Sequence, residues 1–438
     1  MKYCRIILIV LALVILTACG TGTPTTTTQL PSPTLSSATA LPTLVLVTPS
    51  ETSTPQVALT ESETNLPPEP ISAPEVSAQP ASASQHKSGE AIKLDSITMN
   101  NVLNGWSLSG GEVLVTTDGA QTWREVTPPE VMPPDAKIQV YGTFLDAQHA
   151  WVIFAANDQI PPEAVVWQTA DAGHTWSASA PLNHTAYGEF LWAEFSALDA
   201  THLWLMMRGV YLGAGTHYAA QFFRTTDGGR TWLLLVGDVG VNYTGLVFAD
   251  ADHGLLTWQT TGAYAPSPPE YAVTTDGATN WDVRGLPPPS DALTLFVDSP
   301  YCEPYQPHLL SDHSTRVLVG CFDTEYNPPQ VFSSYLYSSE DGGSTWTSTH
   351  LPDPVLASNA TLFFFNATDA LLLGRDIYRS TNGGLSWNYV KSVNWDGQFT
   401  FVDPQTGWAI ARAGDETALV KTSNGGALWL EIKPVIAP

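Results

Sequence analysis

The chain has few charged residues and very few basic ones. Only 13% of its 438 residues are charged, and 17 Lys and Arg face 42 Asp and Glu, so the net charge is −25. A field of this sign repels phosphate backbones and anionic lipid headgroups. No basic run in the sequence overrides it. We therefore expect no nucleic-acid partner.

Several signatures of chemistry are also missing. The sequence has no Cys/His zinc spacing, no phosphate-cradling glycine loop and no Gly-x-Ser-x-Gly elbow. His184 and His217 stand alone in the sequence, and isolated histidines are seldom ligands. We therefore predict no metal site and no cofactor, and we assign no catalytic residue.

The N-terminus has the pattern of an export signal. Lys2 and Arg5 lead into eleven apolar residues, 6–16. This run suits a signal peptide and is short for a transmembrane helix, which needs about 20 residues. The sequence Leu16-Thr17-Ala18-Cys19-Gly20 resembles a bacterial lipobox. We predict a signal peptide over 1–19, and lipidation of Cys19 that anchors the exported protein to the outer side of the cytoplasmic membrane or the cell surface. The alternative is an ordinary signal peptide with a chance cysteine.

Residues 20–88 are rich in Thr, Ser, Pro and Ala and have no hydrophobic periodicity. Such a segment buries too little apolar surface to offset chain entropy, so we predict a disordered linker. Once Cys4 is removed with the signal peptide and Cys19 is lipidated, Cys302 and Cys321 remain as an even pair in an exported domain. We predict a disulfide between them, worth about 3 kcal/mol on the chain-entropy argument.

One motif recurs seven times with a mean period of 51 residues. Its pattern is Ser/Thr-x-Asp-x-Gly-x-Thr-Trp, and we call it the box turn. The Asp or Asn accepts hydrogen bonds from backbone N–H groups just downstream, and Gly supplies positive φ. Each copy lies between two extended runs, so it joins antiparallel strands. The acidic or amide residues, to which we assign a structural role, are Asp118, Asp171, Asp227, Asp276, Asp341, Asn382 and Asn424.

A looser turn precedes most box turns and reads Phe401-Val-Asp403-Pro-Gln-Thr-Gly407-Trp408 in the last repeat. Each unit then has four strands, A to D, and seven such units predict an all-β, seven-bladed propeller of four-stranded antiparallel blades over 89–438. Strand A should line the axis and strand D should be outermost. The A–B turns and box turns share one face, the box face. The B–C loops and D–A connections share the opposite loop face.

The box turn and the Phe-x-Asp-x-x-x-Gly-Trp turn resemble those of sialidase-like proteins with bacterial neuraminidase (Asp-box) repeats. Over residues 90–435 the chain is more similar to the photosystem II assembly and stability factor propellers. Both resemblances imply that the box turns are structural. The assembly factors imply a basic binding patch, which this acidic domain lacks. Sialidases imply an arginine triad, a Tyr nucleophile and an acid/base pair, and only Arg208, Arg375 and Arg412 fall where a triad could form.

Loop length directs attention to the loop face of units three to five. Their B–C loops are long and carry aromatic and acidic residues, which suit glycans or protein partners. The alternative is that they are tolerated insertions. The candidate ligand-binding residues, with the three arginines, are Arg208, Tyr211, His217, Tyr218, Trp258, Tyr264, Tyr271, Glu325, Tyr326, Arg375 and Arg412.

Together these patterns favour a non-catalytic, surface-anchored binding or scaffold module. Its partner would be a glycan, a peptide or a protein, and we expect a monomer. A sialidase-like glycoside hydrolase is the alternative function. An assembly factor for a membrane protein complex is a second alternative.

Overall fold

The computed structural model describes residues 77–438 with internal gaps, all within the compact unit Pro70–Pro438. The predicted signal peptide, Cys19 and most of the linker lie outside the described residues. No helix among the described residues is both long and apolar enough to cross a bilayer. The gaps fall at 130–136, 162, 185–188, 211–217, 237–241, 260–267, 299–300, 311–313, 324–329 and 353–359.

The described strands form seven sheets, and in each sheet the blade strands are antiparallel and follow chain order from A to D. After β1 (Gln79–Pro80), blade 1 contains β2 (Ser96–Met99), β3 (Gly105–Ser109), β4 (Glu112–Thr116) and β5 (Thr122–Glu125). Blade 2 contains β6 (Ile138–Phe144), β7 (Ala150–Ala156), β8 (Trp167–Thr169) and β9 (Thr175–Ala178). Blade 3 contains β10 (Glu189–Ala197), β11 (Leu203–Val210), β12 (Tyr218–Thr225) and β13 (Leu233–Val236). Blade 4 contains β14 (Asn242–Phe248), β15 (Gly254–Gln259), β16 (Glu270–Thr274) and β17 (Asp282–Gly285).

A short helix, α1 (Leu295–Asp298), precedes blade 5, whose strand A is divided in two. Blade 5 contains β18 (Tyr301–Pro304), β19 (His308–Leu309), β20 (Thr315–Asp323), β21 (Gln330–Ser339) and β22 (Thr347–His350). Blade 6 contains β23 (Thr361–Phe364), β24 (Ala370–Leu373), β25 (Asp376–Ser380) and β26 (Asn388–Ser392). Blade 7 contains β27 (Asp396–Phe401), β28 (Gly407–Ala413), β29 (Glu416–Thr422) and β30 (Leu430–Ile432), and β31 (Val435–Ile436) is the last strand.

Strand A of each blade lies nearest the axis, as predicted. Strand β10 contacts β6 on one side and β14 on the other, and β27 contacts both β23 and β2. Each of these strands is an A strand, so the A strands meet around a common centre. The structure is therefore the predicted seven-bladed propeller.

Tryptophans on strand B tie neighbouring blades together on the box face. The indole N–H of Trp151 donates to the carbonyl of Gly228 at 2.8 Å, in the box turn of the next blade. Trp204 donates to Gly277 in the same way, at 3.3 Å. Because these rings are almost fully buried, each closes an inter-blade seam and also satisfies a turn carbonyl.

The box turn is held by the hydrogen bonds expected from its sequence. In blade 1 the Thr116 hydroxyl donates to one Asp118 carboxylate oxygen at 2.9 Å and accepts from the Ala120 N–H at 3.1 Å. The same carboxylate accepts from the Thr122 N–H at 2.9 Å and the Thr122 hydroxyl at 2.7 Å. The carboxylate is therefore fully engaged within its own turn.

The imperfect copies preserve this network by substitution. In blade 4 the Asn280 amide donates to Asp276 at 2.7 Å, replacing the usual hydroxyl. In blade 6 the donor and acceptor exchange, because the Asn382 amide donates to the Ser386 hydroxyl at 2.8 Å. In blade 7 Leu428 offers only its backbone N–H, which donates to Asn424 at 2.9 Å.

The ring closes without exchange of a blade strand between the two ends of the chain. On strand A of blade 7, the Gln398 carboxamide accepts from the Ile97 N–H at 2.9 Å and donates to the Ile97 carbonyl at 3.0 Å. At the periphery, β31 pairs in parallel with β5, the outermost strand of blade 1. The seam is thus held near the axis by the Gln398 side chain and at the periphery by β31.

Residues 77–94 form a segment that we call the strap. Strand β1 pairs with β9 and adds a fifth strand to blade 2. The Gly89 N–H donates to the Ile436 carbonyl at 2.9 Å, so the strap also covers β31. Composition assigned 77–88 to the linker, but these residues run along the propeller because exposed strand edges offer them backbone hydrogen bonds.

Candidate functional site

The three arginines considered as a carboxylate clamp each tie two neighbouring blades. Arg208 donates to the Tyr243 carbonyl on strand A of blade 4 at 3.4 Å. Arg375 makes a two-pronged contact with Asp396 at the start of blade 7, at 2.9 and 2.7 Å. Arg412 donates at 2.6 Å to the carbonyl of Asp95, just before blade 1. They therefore serve three different inter-blade contacts on the loop face.

The candidate binding residues on the long loops of blades 3 to 5 form what we call the predicted rim, and most of this rim lies outside the described residues. This holds for Tyr211, His217, Tyr264, Glu325 and Tyr326, and only the backbone of Tyr218 is described, in β12. A site at the tips of these loops stays a prediction.

Two other rim candidates lie in the interior. Trp258 is buried between blades 3 and 4. Tyr271 is buried between blades 4 and 5, and its hydroxyl donates to the Gly343 carbonyl at 2.8 Å. In blades 2 and 3 a strand-B tryptophan donates to the box turn of the next blade. Blade 4 has Leu255 at that position, and Tyr271 makes the equivalent contact. In these positions neither ring reaches a ligand on the loop face.

A disulfide joins strands A and B of blade 5. Cys302 and Cys321 are directly opposite in the register of β18 and β20, with their Cα atoms 4.0 Å apart. Both are buried. The bond fixes β20, which ends at Asp323, to β18.

The described part of the loop face contains a cleft of about 670 Å³ between blades 1 and 2, which we call the 1–2 cleft. It is bounded by the start of strand A in each blade and by the B–C turn of blade 1. Gly111 allows the close approach of the two blades, because a Cβ there would lie 2.9 Å from the Ile138 side chain. The polar and aromatic side chains along it are Asp95, Ser96, Ser109, Lys137, Gln139 and Tyr141.

The 1–2 cleft combines both charges, an amide and a phenol. Asp95 accepts from the Gly110 N–H at 2.7 Å, which orients its carboxylate. Lys137 is mostly exposed and lies 3.4 Å from Asp158. The Tyr141 hydroxyl donates to Gln139 at 3.3 Å, and burial together with the charge of Asp158 raises the pKa of Tyr141. These groups, at or beside the strands, offer hydrogen-bond donors and acceptors to a polar ligand.

A second cleft of about 490 Å³ lies at the loop-face end of blade 7. Trp395 lies on one side of it, and Lys93, Asp415 and Glu416 contribute charges. Arg412, next to this cleft, bonds the Asp95 carbonyl, and Asp95 lines the 1–2 cleft. The two clefts therefore adjoin across the start of blade 1. Sequence reasoning missed both because short loops bound them.

Near the axis, Glu194 is the most perturbed carboxyl group among the described residues. Burial raises its pKa to about 8, and the Gln306 carboxamide donates to it at 3.0 Å. Gln306 belongs to blade 5 and reaches over Gly245 of blade 4, where a Cβ would lie 2.6 Å from it. Burial also lowers the pKa of His308 to about 4. Glu194 and His308 are thus predominantly uncharged at neutral pH.

The box face has a cleft of about 390 Å³ between blades 4 and 5. Asp341, at its edge, is committed to its own turn, and the Thr345 N–H and hydroxyl hold its pKa at about 2. Arg284, also at the edge, is paired with Asp282 at 2.8 Å. The charged groups here are thus occupied by structural contacts.

No protein-family model matches the chain, and no curated protein matches its sequence significantly. Solved structures do share the fold. YCF48 bound to a D1 peptide is 18% identical with a TM-score of 0.48, over 78% of this chain and 99% of its own. YCF48 from Cyanidioschyzon merolae is 16% identical with a TM-score of 0.44, over 77% and 97%. The α-L-arabinofuranosidase Arb93A of Fusarium graminearum is 12% identical with a TM-score of 0.42, over 69% and 95%. At these identities the similarity is one of fold alone.

Proposed function

We propose that this protein is a surface-anchored, non-catalytic binding module, and that the 1–2 cleft is its contact surface for a polar glycan or peptide segment. The observation that carries the proposal is the set of polar side chains at or beside strand ends around a cleft of about 670 Å³. Sites of this kind fix a ligand's orientation with a few placed polar groups. The engagement of Arg208, Arg375 and Arg412 in three separate blade contacts does not favour a sialidase-like clamp.

Anchoring through Cys19 is part of the same proposal, because the apolar run and the lipobox-like sequence both point to it. Metabolic labelling with a fatty acid tests it directly. Label incorporated into the protein and lost in Cys19→Ser supports the anchor. Equal label in both proteins, or none in either, contradicts it.

Binding is tested by screening glycan and peptide arrays with the purified protein. Lys137→Glu reverses a charge in the 1–2 cleft, and Gln139→Ala removes an amide. We expect Lys137→Glu to weaken a hit at least about tenfold, since a lost hydrogen bond to a charged group costs about 1.5–3 kcal/mol. Gln139→Ala should weaken it about two- to tenfold, since a neutral hydrogen bond contributes about 0.5–1.5 kcal/mol. Lys391→Glu makes the same reversal on strand D of blade 6, away from the cleft, and should bind normally.

A further experiment distinguishes the 1–2 cleft from the predicted rim as the binding surface. A variant shortened within 211–217 and 260–267 leaves the described strands intact. Loss of binding in this variant together with normal binding by Lys137→Glu would transfer the site from the cleft to the rim. No hit on either array would count against the module.

A further inference from the structure

The strap and blade 1 bring together a histidine and two glutamates. The His86 Nε2 lies 2.8 Å from a Glu112 carboxylate oxygen, and the ligand atoms of His86, Glu112 and Glu125 all lie within 4.8 Å of one another. His86 belongs to the strap, Glu112 begins β4 and Glu125 ends β5. The three residues come from separate segments, so no sequence spacing indicates them.

Among the ion pairs in the described part of the chain, His86 is the only positive partner of the carboxylates of this cluster. Glu125 is buried, and its oxygens accept from the Gln85 N–H at 3.1 Å and the Thr127 hydroxyl at 3.2 Å, both neutral donors. Among the ion pairs of the described residues, none joins Glu112 or Glu125 to a lysine or arginine. Buried charge is expensive unless it is paired or bound to a metal.

A third carboxylate lies near the other nitrogen of the histidine ring. This nitrogen, Nδ1, lies 3.6 Å from a Glu90 carboxylate oxygen. A carboxylate behind the far nitrogen fixes the ring orientation and increases the basicity of the binding nitrogen. Glu90 is itself oriented, because it accepts from the Lys87 N–H at 2.8 Å.

We propose that His86, Glu112 and Glu125 bind one Zn²⁺ ion, which fastens the strap to blade 1. One imidazole with carboxylates suits this cation better than Mg²⁺ or Ca²⁺, which prefer oxygen ligands alone. Ligand atoms around tetrahedral zinc lie about 3.3 Å apart, so the contact between His86 and Glu112 opens by about half an ångström. The role is structural and does not depend on the proposed function of the 1–2 cleft.

Calorimetric titration of the purified protein with Zn²⁺ tests the site. We expect saturable binding of one equivalent, at least about tenfold weaker in His86→Gln and in Glu125→Gln. His149→Gln is the matched control, because His149 also faces a carboxylate, Asp146 at 2.9 Å, in a pair without a second glutamate. It should bind zinc normally.

Hydrogen exchange supplies a second readout that places the ion. Zn²⁺ should slow exchange of the backbone N–H groups of residues 84–90 in the unchanged protein and leave them unaffected in His86→Gln. If the circular dichroism spectrum of His86→Gln or Glu125→Gln differs from that of the unchanged protein, Glu112→Gln is used in its place. Equal Zn²⁺ binding by His86→Gln and His149→Gln, saturation by Mg²⁺ at the same concentration, or no saturable binding overturns the proposal.

Discussion

The carboxyl group of Glu194 makes the stability of the propeller depend on pH in a defined direction. Burial raises its pKa from 4.5 to about 8. The folded protein therefore favours the neutral acid, whereas the unfolded chain ionises above pH 4.5. This group's contribution is most favourable below that value and is lost as the pH rises towards 8. With those two pKa values, the loss between pH 5 and pH 8 is about 3 to 4 kcal/mol.

Glu194→Gln should remove this dependence while keeping the shape of the side chain and its contact with Gln306. Urea unfolding at pH 5, 6.5 and 8 measures the effect. We expect the variant to gain stability over the unchanged protein as the pH rises, by about 3 to 4 kcal/mol across this range. Glu431→Gln, the same exchange at an exposed position, controls for the loss of one charge. Parallel pH profiles for the unchanged protein and Glu194→Gln would refute the reasoning.

Three further changes test the closing seam, a box turn and the disulfide. Trp408→Phe removes the indole donor to the Gly119 carbonyl across the closing seam, and chemical denaturation should show a loss of about 1–3 kcal/mol. Ala172 has a φ of 57°, a conformation that glycine adopts more easily than alanine. Ala172→Gly should therefore raise the free energy of unfolding by about 0.5–1 kcal/mol, measured as a higher melting temperature. Replacing both Cys302 and Cys321 by alanine should lower the free energy of unfolding by about 3 kcal/mol, and an unchanged denaturation midpoint would contradict this.

The repeating turns show how much of the fold is local. The hydroxyl, the acidic or amide residue and the glycine of each box turn lie within a few residues of one another, so their hydrogen bonds follow from the sequence alone, as in blade 3. Seven such turns at a regular period, each between two strands, are sufficient for the blade count and for strand A at the axis. The strap was missed because its composition is that of a linker, and strand edges distant in sequence determine its course.

The candidate sites depended on tertiary structure to a much greater degree. An arginine at the position of Arg208 could belong to a carboxylate clamp or could connect two blades, and the sequence is the same in both cases. Only the hydrogen bond to the Tyr243 carbonyl of the next blade distinguishes the two roles. The long loop beside Tyr271 predicts a ligand-binding aromatic there, yet the Tyr271 ring packs in the core together with Leu255.

By itself, the sequence determined the type of turn, the number of blades and the order of their strands, because these arise from interactions between near neighbours in the chain. The tertiary structure decided which side chains meet. The 1–2 cleft needs the strand ends of two blades, the axial Glu194 needs Gln306 from two blades away, and the cluster at His86 needs the strap beside blade 1. Each is a contact between distant segments, which a local pattern does not encode.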